Sequence, residues 1–194
     1  MNQRSDQKAE SRTKIVEAAA RNLRERGLSG TSVDRAMRGA GLTVGAFYAH
    51  FRSKDELLSH AFAAAMDEME GVMRRAAGGG TGRAVLIPVS TAYLSERHRE
   101  AAHEGCPLPA VAGEAASSRD PGTHERVARG LSTLRDRLVA LGGGEIDPPT
   151  ALALCGLLVG GQILARATRG TPLSDELLAA CRAAAVRLLR PDGP

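Results

Sequence analysis

Residues 32–51 read SVDRAMRGAGLTVGAFYAHF. Ser32 is a good helix N-cap, and Asp34 falls where the helix dipole favours an acid. Val33, Ala36, Met37 and Ala40 recur at helical spacing, and Gly41 stops the helix. Two residues later Thr43 is placed to cap a second short helix, Val44–His50. Phe47 and Phe51 lie four apart and point the same way, toward an apolar partner. Two short helices about a glycine turn make a helix-turn-helix, the geometry that seats its second helix in a DNA major groove. With both phenylalanines buried, the opposite face of that second helix presents Thr43, Val44, Gly45, Ala46, Tyr48, Ala49 and His50. Small residues near its start let it sink into a groove. The hydroxyls of Thr43 and Tyr48 and the imidazole of His50 suit phosphate oxygens, and Lys54 adds a charge beside free backbone N–H groups.

The flanking sequence supplies the partner for Phe47 and Phe51. A helix is expected from about Ala9 to Arg26, with Ile15, Val16, Ala19, Ala20 and Leu23 on one face and Gly27 at its end. Ser53 caps a long helix reaching about Ala77, whose inner side carries Leu57, Leu58, Ala61, Phe62, Ala65, Met66, Met69 and Met73. Five further helices are expected at about 82–102, 107–116, 121–141, 148–168 and 174–189. Pro121, Pro148 and Pro149 fall at first-turn positions, whereas Pro88 predicts a kink or a late start. The fold class is therefore all-α, with a three-helix head at 1–52 and a helical bundle at 53–194, about nine helices in all.

Composition agrees. The chain has 194 residues, 43% of them apolar and only 3% aromatic, which suits helices better than strands. Its net charge of +4 is carried by the head: residues 1–60 hold 11 Lys and Arg against 7 Asp and Glu, and the remainder balances at 15 against 15. A basic head on a neutral body fits a phosphate-binding module joined to one with other work. The N-terminus has no apolar leader, and the longest apolar run, Ala151–Ala165, falls short of the roughly 20 residues that span a bilayer. A soluble, cytoplasmic protein is expected. Cys106, Cys155 and Cys181 are widely spaced, with no CxxC pair and no zinc-ligand spacing, so neither a disulfide framework nor a metal site is expected.

The stretch AGLTVGAFYAHFRSKDELL, Ala40 to Leu58, resembles the signature of the tetracycline-repressor (TetR) family of transcriptional regulators. The shared parts are the glycine turn, the G-x-F-Y-x-H-F helix and the S-K-x-x-L-L start of the next helix. The resemblance spans about 50 residues; beyond it, only helix number and length match. It implies that Ser32, Thr43, Tyr48, His50 and Lys54 contact phosphates and that Val44, Gly45, Ala46 and Ala49 face the bases. None of the latter is a strong hydrogen-bond donor, so readout leans on thymine methyl groups and DNA shape. Arg38 is a further candidate for a backbone or minor-groove contact. For Arg4, Lys8 and Arg12 near the N-terminus, DNA contact and a solvated tail are both open.

The family resemblance also implies a homodimer on a palindromic double-stranded operator, released by a small effector, with no cofactor. Segment 148–168 is apolar almost all round and needs burial on two sides. Leu157, Gly160, Gly161 and Leu164, with Leu177, Cys181 and Leu188 from the last helix, are the expected dimer interface. Phe62, Met66, Met69, Met73, Tyr93, Cys106, Leu108 and Leu134 are the candidate effector pocket, whose Met and Leu walls suit a small lipophilic molecule. Cys106 stands in Gly-Cys-Pro, a stretch found in a subset of the family, some of which sense electrophiles through a cysteine here. A helix N-terminus after it would lower its thiol pKa, which makes thiol-based redox or electrophile sensing the alternative. A helical enzyme is the remaining rival, but His60, His98, His103 and His124 are scattered and assemble no catalytic set.

Overall fold

In the computed structural model, which describes residues 3–190 with side chains from Ser5 onward, one helix is shared by two cores. That helix, α3, runs Lys54–Ala76, and the Ser53 hydroxyl caps it by accepting from the Glu56 N–H at 3.1 Å. Leu57, Ala61 and Ala65 face a small core with Ile15, Ala19, Ala20, Ala36, Met37, Phe47 and Phe51. Leu58, Phe62, Met66, Met69 and Met73 face a larger core built from the rest of the chain.

The small core belongs to the head. Helix α1 (Gln3–Arg26) packs on α2 (Val33–Gly39) and on the front of α3, and a 3₁₀ turn at Val44–Ala49 follows α2. Gly27 ends α1 and Gly41 makes the turn, both at positive φ, where a side chain would be strained. Phe47 and Phe51 stack with ring centroids 5.7 Å apart, an arrangement that adds roughly 1 kcal/mol beyond simple burial.

The body comprises α4 (Leu86–Tyr93), α5 (Glu96–Glu100), α6 (Leu108–Ala115), α7 (Pro121–Leu141), α8 (Pro148–Ala167) and α9 (Pro172–Leu188). Proline opens α7, α8 and α9 at first-turn positions, where its missing N–H costs no hydrogen bond. Asp120 and Asp147 cap α7 and α8 by accepting backbone N–H groups. Gly130 lets α7 lie directly on Phe62 and Leu108: a Cβ there would sit 2.6 Å from the phenyl ring. Among the described residues there are nine α-helices and no strand.

Three expectations shift. The first helix begins at Gln3 rather than near Ala9, because no glycine or proline interrupts the run and Asp6 complements its first turn. The Val44–His50 segment is 3₁₀, and Thr43, although in extended N-cap backbone, makes no side-chain cap bond. The single helix expected at 82–102 is broken into α4, α5 and short 3₁₀ turns at Arg83–Val85 and Ala102–Glu104. Pro88 marks a late start, as expected, sitting third in α4. The break after Tyr93 comes from side chains that take its carbonyl and that of Leu94. Gln162 donates to the Tyr93 carbonyl at 2.6 Å, Arg182 donates to that of Leu94 at 2.7 Å, and Ser95 caps α5.

Helix α8 is long and apolar enough to cross a membrane by length and composition, with 44% of its most apolar stretch buried within the chain. Its buried side, including Leu154, Cys155, Leu158 and Gln162, packs on α7, α6 and α9. Its other side stays open: Leu152 and Leu164 are exposed, as is Leu173 on α9. Gly156 and Gly160 face open space, so a Cβ at either would meet nothing within 4 Å.

Candidate nucleic-acid interface and its linked cavity

The side of the 3₁₀ turn away from Phe47 and Phe51 is open. Tyr48 is 80% exposed and Val44 46%. Thr43, Gly45 and Ala49 are exposed, Ala46 is half-buried, and a Cβ at Gly45 would meet nothing. An exposed tyrosine beside an exposed valine and a bare glycine forms a shallow ridge that nothing among the described residues covers. Thr43 keeps its hydroxyl free, and Lys54 stands exposed at the start of α3. Ser32 caps α2 by accepting from the Arg35 N–H at 3.2 Å, which leaves its hydroxyl proton to donate outward. Arg38 is exposed but paired with Asp34 one turn earlier.

Arg12, for which the sequence leaves DNA contact and a solvated tail both open, and His50, an expected phosphate contact, are tied inward. Arg12 donates to the His50 carbonyl, lies over the Phe51 ring at 4.2 Å and pairs with Glu56 at 3.3 Å. It clasps α1 to the turn rather than reaching outward from an arm. Lys8 is exposed on α1, and the side chain of Arg4 lies outside the described ones. The His50 imidazole is half-buried with Nδ1 buried and unpartnered; burial, then Lys8 and Arg12, lower its pKa and favour the neutral ring.

Head and body are joined by polar bonds that cross between them. Arg24, 2% exposed, donates to the carbonyls of His103 and Ala65 and pairs with Glu68 at 2.6 Å. On α6, Glu114 accepts the Leu28 N–H at 2.7 Å, the Ser29 N–H at 3.1 Å and the Ser29 hydroxyl at 2.6 Å. From α7, Arg126 pairs with Asp55 and donates to Ser59 on α3.

Beside Arg24 lies a cavity of about 1040 Å³. Its apolar floor is Met69, Val72, Met73, Ala76, Val89 and Tyr93, and its rim carries Glu17, Arg21, Glu68, Arg97 and Glu104. Of the eight pocket residues expected from sequence, Met69, Met73 and Tyr93 line it. Phe62, Met66, Cys106, Leu108 and Leu134 are buried core instead, filling the space between α3, α6, α7 and α8. Sequence reasoning missed the wall that α1 supplies through Glu17, Arg21 and Arg24. Their spacing, four and three residues apart on the helix side facing the body, was the available signal.

The cavity's deep end is organised by His98. Its Nε2 accepts the Cys106 N–H at 3.1 Å, so Nδ1 carries the proton and donates to the Tyr93 carbonyl at 2.6 Å. The two rings meet edge to face at 4.5 Å. Burial drives the His98 pKa down to about 4, with Arg166 acting in the same direction.

Cys106 is fully buried, and burial pushes its thiol pKa up. The Leu108 N–H at the start of α6 does lower it, as the helix N-terminus suggested, but desolvation outweighs that effect. The thiol lies behind Tyr93, a floor residue, and does not itself line the cavity. A buried, protonated thiol is a poor nucleophile, and the redox-sensing alternative is not favoured. Among the described residues no group of three His, Cys, Asp or Glu side chains is placed to hold a metal.

A helical body behind an open helix-turn-helix defines, as a class, a DNA-binding transcriptional regulator. Residues 15–61 match the family described as "Bacterial regulatory proteins, tetR family". The full chain matches solved structures in fold. A TetR-family transcriptional regulator from Cytophaga hutchinsonii is 20% identical, with a TM-score of 0.72 over 93% of this chain and 95% of that one. A TetR transcriptional regulator from Chloroflexus aurantiacus J-10-FL is 24% identical, with a TM-score of 0.67 over 95% and 94%. A transcriptional regulator from Rhodococcus sp. Rha1 is 25% identical, with a TM-score of 0.69 over 92% and 95%. A search of curated proteins finds no significant match. Residues 15–61 thus carry the DNA-binding segment of that family, and the chain shares the fold of these regulators.

His98 sets a pH dependence of folding. Its folded pKa of about 4 lies below the ordinary value of 6.5, so the unfolded chain takes up the proton first. The stability contributed by the neutral ring is full above pH 6.5 and is lost as pH falls toward 4. Urea unfolding should show a loss of roughly 2 kcal/mol between pH 7 and pH 5. His98→Gln, which does not titrate, should remove most of that slope; an unchanged slope would assign it to other groups.

Proposed function

We propose that the protein is a homodimeric repressor that binds a palindromic double-stranded operator and leaves it when a small lipophilic molecule fills the cavity against α1 and α3. The observation that carries the DNA reading is Tyr48, 80% exposed beside exposed Val44 and Gly45 on a turn whose other side is locked by Phe47 and Phe51. In this reading Ser32, Thr43, Tyr48 and Lys54 hold phosphates, with His50 and Arg38 as lesser contacts. Val44, Gly45, Ala46 and Ala49 lie against the base edges, where they offer apolar surface and few donors. Residues 1–52 act as the DNA-binding unit and 53–194 as the sensing and dimerising unit, in the cytoplasm.

Gel-shift titration of the DNA flanking the protein's own gene tests this reading. Lys54→Ala should weaken binding to every sequence and reduce the salt slope by roughly one per head. Tyr48→Ala should cost about 1–3 kcal/mol of operator binding while leaving the thermal midpoint within a few degrees. Uniform, steeply salt-dependent binding to unrelated DNA would overturn the specific-regulator reading.

The dimer reading rests on the open face of α8 and α9. Leu157, Gly160 and Leu164 with Leu177, Cys181 and Leu188 are half-buried or exposed, and Gly156 stands open beside them. Gly161, by contrast, packs inside the chain, its Cβ position 2.9 Å from Leu94 and 3.1 Å from the Cys181 sulfur. Gly160→Leu has room within the chain but fills the face where a second helix would approach. It should shift sedimentation from dimer to monomer with helicity intact; a surviving dimer would move the interface elsewhere.

The apolar floor at Met69 and Met73, roofed by α1, supports the effector reading. Met73→Trp should narrow the cavity and raise the effector concentration needed for release about tenfold or more, with ligand-free operator binding unchanged. Loss of both properties would indicate misfolding, and unchanged release would place the effector elsewhere.

A further inference from the structure

A second cleft of about 490 Å³ opens on the other side of Arg24, between the end of α1, the start of α6 and the end of α8. Its walls include Arg24, His103, Arg166 and Arg169, opposed by Glu25 and Glu100. Its guanidiniums include Arg166, which like Arg182 donates only to a backbone carbonyl but, unlike it, keeps a buried Nε without a partner and lines a cleft. The most buried arginines elsewhere have carboxylate partners: Arg99 with Asp175 at 2.6 Å, Arg126 with Asp55, and Arg137 with Asp67 at 2.8 Å and Glu70 at 3.0 Å. Arg24 itself is spent on Glu68.

Arg166 has no such partner among the described residues. It donates from Nη2 to the His98 carbonyl at 2.9 Å, while its Nε is buried and unpartnered. Burial lowers its pKa, so the surroundings disfavour the charge it retains. Neither acid in the cleft is in ion-pair contact with it, although Glu100 favours its charge from farther off. Glu100 is engaged by Arg99 at 2.8 Å and Arg169 at 3.3 Å, and Glu25 lies 3.8 Å from Arg26. A partly buried cation without a counter-charge is costly, and the usual remedy is an anion.

We propose that this cleft binds an anionic group, a phosphate or carboxylate carried by a small molecule, on the guanidiniums of Arg166 and Arg169. Planar guanidiniums suit both groups, each offering two oxygens to paired N–H donors. The volume admits the anion with a short body. Because Arg24 and Glu25 belong to α1, the occupant touches the helix that carries the DNA-binding head. The inference stands on Arg166 and does not depend on the lipophilic effector assigned to the larger cavity.

Thermal unfolding of the full chain tests it, with inorganic phosphate alone or acetate alone added against chloride at matched ionic strength. The wild type should gain several degrees beyond chloride and saturate, as a bound ligand requires. Saturation with phosphate alone would assign the site to phosphoryl ligands, and with acetate alone to carboxylates. Arg166→Gln should lose that gain, while Arg97→Gln, on the rim of the other cavity, should keep it. General salting effects act on all variants alike, so the difference between variants is the readout. Arg166→Gln should also unfold in chloride no earlier than wild type, since its charge is uncompensated there. If that variant fails to fold, Arg169→Gln should raise the half-saturating concentration about tenfold, a loss of one charged contact. No saturable gain in the wild type, or an equal gain in the folded variants of Arg166 and Arg169, would overturn the proposal.

Discussion

Helix α3 has to satisfy two cores at once. Leu57, Ala61 and Ala65 belong to the head's apolar cluster, and Leu58, Phe62, Met66, Met69 and Met73 to that of the body. A rotation that suits one face drags the other out of register, since close-packed side chains move between discrete arrangements rather than deforming smoothly. The head therefore has no complete core without α3: Phe47 and Phe51 close onto it as much as onto α1. The cavity lined by Met69 and Met73 lies along the same helix that starts beside the DNA-facing turn at Lys54.

The polar joins reinforce that arrangement. In a chain with so few aromatics, arginine and glutamate do much of the work of holding elements together. Arg24 reaches from α1 into the body, Glu114 gathers the N–H groups after α1, and Arg126 fastens α7 to the first turn of α3. Each bond ties α1, the turn after it or the first turn of α3 to the helices of the body. Such pairs contribute little net stability in water-exposed settings but define geometry sharply where they are buried.

Much of this was legible in the order of residues. The helix-turn-helix, the caps at Ser32 and Ser53, the glycine stops and the proline starts of α7 and α8 follow from local chemistry, and local chemistry is visible in sequence. The pocket was less legible. Met69, Met73 and Tyr93 were found by helical periodicity, but the same periodicity marks Phe62, Met66, Leu108 and Leu134, which are core. Periodicity reports that a face is buried, not whether the space opposite is filled. The break after Tyr93 escaped notice because its causes, Gln162 and Arg182, come from α8 and α9, nearly 70 and 90 residues away. Cys106 misled for a related reason: the local helix terminus was readable, but the depth of its burial was not.

The scarcity of aromatic residues has a spectroscopic consequence. The chain contains two tyrosines and no tryptophan, so Tyr48 and Tyr93 carry nearly all its near-ultraviolet signal. One stands in water on the groove-facing turn, and the other is sealed at the end of the cavity beside His98. The molecule thus holds a single chromophore in each of its two working regions. Quenching by a soluble agent reports on the outer one, and near-ultraviolet dichroism from an immobilised ring reports on the inner one.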